Sequence, residues 1–207
     1  MKMLEIIRNT IIEFCRDFIC NPYKCYTEHG QHALFYTMLY NAIPEEQRFI
    51  TWENKKICIV QKEYPTAGKI GKPQRQHWDV SILKSPPISL ITGLGAYDYL
   101  KLFAAIEFGL NESKEHIIDD IERLCHKDAN IENGFIVHLY RLSESGALFS
   151  GRDWSSKSPR ILDLEHIRRL STGKTVEIFY GLTDSTGINR SGLWNIKDGN
   201  ITVLNIR

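Results

Sequence analysis

Nowhere does this chain run apolar for the roughly 18–20 residues that a membrane-crossing helix needs. Its first stretch, MKMLEIIRNTIIEFCRDFIC, does not read as a secretion signal, because Glu5, Arg8, Glu13 and Arg16 interrupt every apolar run. The expected location is therefore cytoplasmic, with no membrane partner. Cysteine is scarce and odd in number: Cys15, Cys20, Cys25, Cys58 and Cys125 sit in apolar contexts and read as reduced, buried thiols. The spacing of Cys20, Cys25, His29 and His32 fits no ordinary zinc finger. An excess of one charge is missing too. With 26 basic and 25 acidic residues the net charge is +1, so binding to nucleic acid must rest on a local basic patch. No internal repeat and no low-complexity tract interrupts the chain. STGKT (171–175) is a turn and not a phosphate-binding loop, since Arg168 stands where the first glycine belongs and a strand follows it.

What is present suits a single domain over 1–207, with a core large enough to need no staples: 207 residues, 43% hydrophobic and 25% charged. Leu4, Ile7, Ile11, Phe14, Cys15 and Phe18 recur at helical spacing and predict an amphipathic helix over 3–19. Pro22 breaks it. A second helix is expected over 27–43, with Leu34, Phe35, Met38 and Leu39 as its core stripe and Glu28 in its first turn. RFITW and KKICIVQ read as a hairpin, 62–76 as a basic loop, and HWDVSIL (77–83) as a short strand. KSPPISLITGLG looks irregular. A strand begins near Lys101, a helix covers 113–126 with Ile117, Ile118, Ile121 and Leu124 inward, and GFIVHLYRL (134–142) is a strand. Residues 143–160 form a polar connection, followed by a short helix near 163–170 and a β-meander that turns at KDGN.

In the strand LFAAIEFGLN one residue stands out. A strand that reads apolar throughout is buried on both faces, and an unpaired carboxylate such as Glu107 is costly there. If the strands of Asp79 and Glu107 are neighbours, the two acids meet at one end of the sheet. They repel each other unless a cation lies between them. Hard oxygen ligands of this kind suit Mg²⁺ or Mn²⁺, and Glu28 on the preceding helix is a third.

HWDVSI, AAIEFGLN, the helix order and the helical glutamate together resemble the PD-(D/E)XK nuclease superfamily, the restriction-endonuclease-like fold, over residues 27–142. The resemblance implies a mixed α/β (α+β) fold with an αβββαβ core, preceded by an N-terminal helix and followed by a β-rich extension over 143–207. It implies Mg²⁺-dependent hydrolysis of phosphodiesters, DNA ahead of RNA, with Glu28, Asp79 and Glu107 as metal ligands. Trp78 replaces the motif proline, and Gly109 stands where the motif lysine belongs. Some members take that lysine from a neighbouring element, and Lys114 at the start of the next helix is the candidate. Lys101 shares the strand face but lies six residues back, roughly 20 Å away.

Each of these residues also has a plainer role. Glu107 fits a structural ion pair with an arginine, although Lys101 is the one basic residue on its own strand face. Asp79 fits a capped strand end, Glu28 an acid favoured in a helix's first turn, and His138 a satisfied core histidine. Lys69, Lys72, Arg75 and His77 form either a solvated loop or a grip for the phosphate backbone, since they feed directly into Asp79. Arg152, Lys157 and Arg160 around Trp154 make a second basic cluster. The loss of the motif lysine leaves a second function open, a catalytically degenerate module that binds nucleic acid or assembles with protein. A homodimer is left open as well.

Overall fold

The apolar spacing of the first residues produces α1 (Met3–Cys20), which buries Ile6, Ile7, Ile11, Phe14, Cys15 and Phe18. In the computed structural model residues 2–52, 55–66, 68–84, 101–143, 154–155, 164–186 and 191–206 are described. α2 (Glu28–Ala42) starts at Thr27, whose hydroxyl accepts from Gly30 N–H at 3.1 Å. Its buried stripe is rotated from the expected one: Gln31, His32, Phe35 and Leu39 face inward, while Leu34 and Met38 are only partly covered.

The expected hairpin is present as β1 (Phe49–Trp52) and β2 (Lys55–Cys58), but it forms a two-stranded sheet of its own. The chain turns at Ile59, whose N–H donates to Arg48 O at 2.9 Å and whose carbonyl accepts from Leu83 at 2.8 Å. It re-enters as β3 (Val60–Pro65), so the expected loop over 62–76 begins four residues late. β4 (His77–Leu83), β5 (Leu102–Leu110), α3 (Lys114–Leu124) and β6 (Ile131–Ser143) follow where the sequence puts them. Beyond them lie β7 (Trp154–Ser155), α4 (Leu164–Ser171), β8 (Val176–Asp184), β9 (Gly192–Lys197) and β10 (Asn200–Leu204). The segment expected to be irregular after Lys84 lies outside the described residues, as does the basic cluster around Arg152, Lys157 and Arg160.

The fold is mixed α+β. One sheet runs in the order β10-β9-β8-β6-β5-β4-β3, with β7 also paired to β6. β3, β4 and β5 are antiparallel neighbours, whereas β5 and β6 are parallel and joined through α3, the crossover that parallel pairing requires. The C-terminal extension is not an appendage: β8 pairs in parallel with β6 from Gly134↔Val176 to Leu142↔Asp184, and β9 and β10 extend the same sheet. β9 and β10 turn through Asp198 and Gly199, both at positive φ, as KDGN suggested.

α1 and α2 cover one face of the sheet and α3 and α4 the other. Phe108 points to the first face, within an aromatic cluster whose ring centroids lie 5.7 Å away at Phe14 and 5.1 Å away at Phe35. Glu107, its neighbour, points to the second face under α3. No described helix is long and apolar enough to cross a membrane.

Candidate functional site: a cleft of three carboxylates

β4 and β5 pair from Leu83↔Leu102 to Val80↔Ile106 and then part. One step beyond the last pair in this register stand Asp79 and Glu107. The parting leaves β5 amides without a strand partner, and acids take them up: Phe108 N–H donates to Asp79 Oδ2 at 2.8 Å and Leu110 N–H to Glu28 Oε2 at 2.9 Å. Two side chains thus do what a strand would have done. Arg141, 1% exposed, fixes the approach to Glu28, donating to Pro22 O at 3.1 Å and Tyr26 O at 3.2 Å.

Glu107 is 2% exposed. Its Oε2 accepts from Arg123 Nη2 at 2.9 Å, and the same Nη2 donates to Asp120 Oδ1 at 2.9 Å. The ion pair is present, and its basic partner comes from α3, not from the strand. Lys101 serves elsewhere, 3.1 Å from Glu132. Asp120 Oδ2 in turn accepts from His138 Nε2 at 3.1 Å, and His116 Nδ1 lies 3.4 Å away. The sequence suggested four apolar inward positions on α3; in fact Asp120 and Arg123 are buried with Ile117, Ile121 and Leu124, and Ile118 is partly exposed. Both charged side chains are buried because each has partners across the layer.

Gly109 is explained here. It stands where the motif lysine was expected, and a Cβ at that position would lie 2.6 Å from His138 Cε1 and Nε2. The two residues are register partners on β5 and β6, and the imidazole occupies the space.

The three acids share one electrostatic state. Burial pushes Glu107 well above the usual carboxylate range, the charges of Asp79 and Asp120 add to this, and Arg123 opposes it. Burial also raises Asp79 and Glu28, against the backbone hydrogen bonds from Phe108 and Leu110. A side-chain hydrogen bond between Glu107 and Asp79 raises Glu107 further and lowers Asp79. Glu107 Oε1 is buried with no donor facing it. Each acid has one oxygen tied to the scaffold, to Phe108 N–H, Leu110 N–H and Arg123 respectively for Asp79, Glu28 and Glu107. Among the described residues, the groups whose ligand atoms lie within 4.8 Å of one another are His29, His32, Glu63 and His116, Asp120, His138; Glu28, Asp79 and Glu107 do not form such a group.

The other expected residues are placed as follows. Lys114 is exposed on the first turn of α3, without an ion pair among the described residues. Glu112 and His116, from the same stretch, act electrostatically on Glu28, so this turn borders the cleft. Lys72 is committed to Asp119 in an ion pair. Arg75 Nε donates to Thr66 O at 2.6 Å, which closes the β3–β4 loop; Lys69, Arg75 and His77 are exposed on it. Sequence reasoning missed Arg123 and Asp120. Their signal was faint: two opposite charges three residues apart on the inward side of an amphipathic helix. Comparison with family models, with curated proteins and with solved structures finds no match to this chain.

Proposed function

We propose that this cleft hydrolyses phosphodiester bonds of nucleic acid, DNA ahead of RNA, with Mg²⁺ or Mn²⁺ held by Glu28, Asp79 and Glu107. The observation that carries the reading is that three raised carboxyls stand where β4 parts from β5, with Asp79 acting electrostatically on both Glu28 and Glu107 and Glu107 Oε1 left without a donor. The order α2, β3, β4, β5, α3, β6 supports a restriction-endonuclease-like αβββαβ core. A bound Mg²⁺ would supply charge neutralisation at a phosphoryl oxygen and activation of water.

The chain's own residues do the rest. Phe108 and Leu110 N–H hold Asp79 and Glu28 in place. Arg123 orients Glu107 and offsets part of its charge, a positioning role. Lys114, long and without an ion pair among the described residues, is the cation on the bordering turn that would meet a phosphate. Lys69, Arg75 and His77 hold the backbone on the other side.

The Glu107–Arg123 pair favours a second reading, a degenerate module of the same architecture that binds nucleic acid or protein without cutting it. One experiment separates the two. Labelled DNA and RNA are incubated with the protein and Mg²⁺, Mn²⁺ or EDTA, alongside calorimetric titration of Mn²⁺. Nuclease function predicts cleavage that EDTA abolishes and that Glu107→Gln lowers by about a hundredfold or more, with weakened Mn²⁺ binding. Lys114→Ala then loses cleavage while metal and nucleic-acid binding persist. Absence of Mn²⁺ binding to the native protein, or equal binding by Glu107→Gln, ends the metal reading; binding of nucleic acid without cleavage under any metal selects the module.

A further inference from the structure

His29, His32 and Glu63 bring one ligand atom each to within 4.8 Å of one another, a group that includes none of the three acids. The histidines lie three residues apart on α2 and so share a face. Their rings are nearly perpendicular, 85° between planes with centroids 5.6 Å apart. Glu63 is presented by β3 from a left-handed backbone position, φ 53°, between residues paired to β4. His32 is 1% exposed, yet neither Nδ1 nor Nε2 has a hydrogen-bond partner. A buried imidazole with both nitrogens unsatisfied is costly, because it has lost water without gaining a partner. Nothing in the carboxylate cleft repays that cost: Asp79 Oδ2 is 3.8 Å from Nε2, beyond hydrogen-bonding distance.

We propose that His29, His32 and Glu63 form a second divalent-metal site, selective for a transition ion such as Zn²⁺ or Co²⁺ over Mg²⁺. Two imidazoles and one carboxylate are a donor set that hard, oxygen-seeking Mg²⁺ disfavours and that Zn²⁺ and Co²⁺ favour. Three protein ligands leave a coordination position open, as in sites that take water or substrate as the fourth. His29 and Glu63 are exposed, so an ion has a path to the buried ring. Lys62 lies 3.8 Å from Glu63 on the surface, a pair weak enough for a divalent ion to displace. Burial holds His32 down to about 4, so its nitrogen is a lone-pair donor at neutral pH. Of Cys20, Cys25, His29 and His32, the folded chain joins the two histidines and supplies Glu63 as the third ligand. No cysteine joins a ligand group among the described residues.

The inference does not depend on phosphodiester hydrolysis, and its test is chosen accordingly. Co²⁺ is titrated into the reduced full-length protein in excess Mg²⁺, followed by visible d–d absorption and by calorimetry. The expected result is one equivalent of Co²⁺ with nitrogen and oxygen ligation. His29→Ala and Glu63→Gln, both at exposed positions that folding tolerates, each weaken it about tenfold or more, while Glu107→Gln leaves it unchanged. Three results overturn the site: no Co²⁺ bound in excess Mg²⁺, affinity indifferent to His29→Ala, or loss of binding in Glu107→Gln. An intense thiolate-to-cobalt charge-transfer band overturns it as well, since the cysteines would then be the ligands. If Co²⁺ binds as expected but Glu107→Gln leaves Mn²⁺ binding at the acids untouched, the nuclease reading falls and this site stands.

Discussion

At the scale of single residues, the contact between Gly109 and His138 decides most. Alanine is ordinarily better than glycine in a strand by roughly 0.5–1 kcal/mol. Here a Cβ would meet a fully buried ring at 2.6 Å, so the clash outweighs that gain. Gly109→Ala is expected to destabilise the protein by about 1–3 kcal/mol. In combination with His138→Ala the two effects should be strongly non-additive, which a double-mutant cycle in urea reads directly. The same crowding bars a lysine at 109 unless the imidazole moves. Asp120 carries the pH response on this side of the sheet. Burial raises its pKa, but the hydrogen bond from His138 and the charges of His116 and Arg123 outweigh it, and the carboxyl ends below its usual range. A depressed carboxylate stabilises the fold above the ordinary Asp range, near 3.9, and that stability is lost as pH falls through its lowered value. Asp120→Asn should therefore lower stability at neutral pH and flatten the acid limb of a stability–pH curve. An unchanged acid limb would show that Asp120 is not its source.

At the scale of elements, the cleft exists because β4 leaves β5 before β5 ends. Two backbone amides of β5 then depend on acids from other elements. Glu28→Ala leaves Leu110 N–H without its acceptor, at a cost of about 1–3 kcal/mol. Glu28→Gln retains an acceptor oxygen while removing the charge. Amide hydrogen exchange should therefore speed up at Leu110 in Glu28→Ala and stay slow in Glu28→Gln, with Phe108 little changed in both. The glutamine variant would still bind divalent metal more weakly, separating the acid's structural task from its proposed ligand role. Similar exchange at Leu110 in wild type and Glu28→Ala would mean that the amide has another acceptor.

At the scale of the whole molecule, the element order suggested a core over 27–142 with an extension after it. The sheet ties these parts together. β8 covers the long edge of β6, and α1, from the other end of the chain, packs across β6, β8 and β9. Arg8 of α1 reaches Glu177 of β8 at 2.7 Å. A fragment of residues 27–142 would expose the edge of β6, a row of unpaired amides and carbonyls, together with the apolar face beneath α1. It is expected to lack cooperative unfolding and near-ultraviolet ellipticity, whereas the full chain unfolds in one transition. Cooperative unfolding of the fragment would establish the core as an independent unit.

What the sequence determined by itself is the position of α1, α2, β4, β5, α3 and β6, because each carries an apolar period or run bounded by a turn signal. It also singled out Glu107, since an acid inside an apolar run is visible without a fold, whereas Asp79 and Glu28 rested on the resemblance of HWDVSI and the helical glutamate. Only the tertiary structure decided what those acids meet. Arg123 is 16 residues along the chain from Glu107, and nothing in local spacing says that α3 returns it over the strand. His138 fills the space at Gly109 because β5 and β6 are in parallel register, a pairing between distant segments. Glu63 joins His29 and His32 for the same reason. Periodicity reports which side of an element is buried; the partner across the layer is set by register and crossover, and it is the partner that turns a buried charge from a cost into a site.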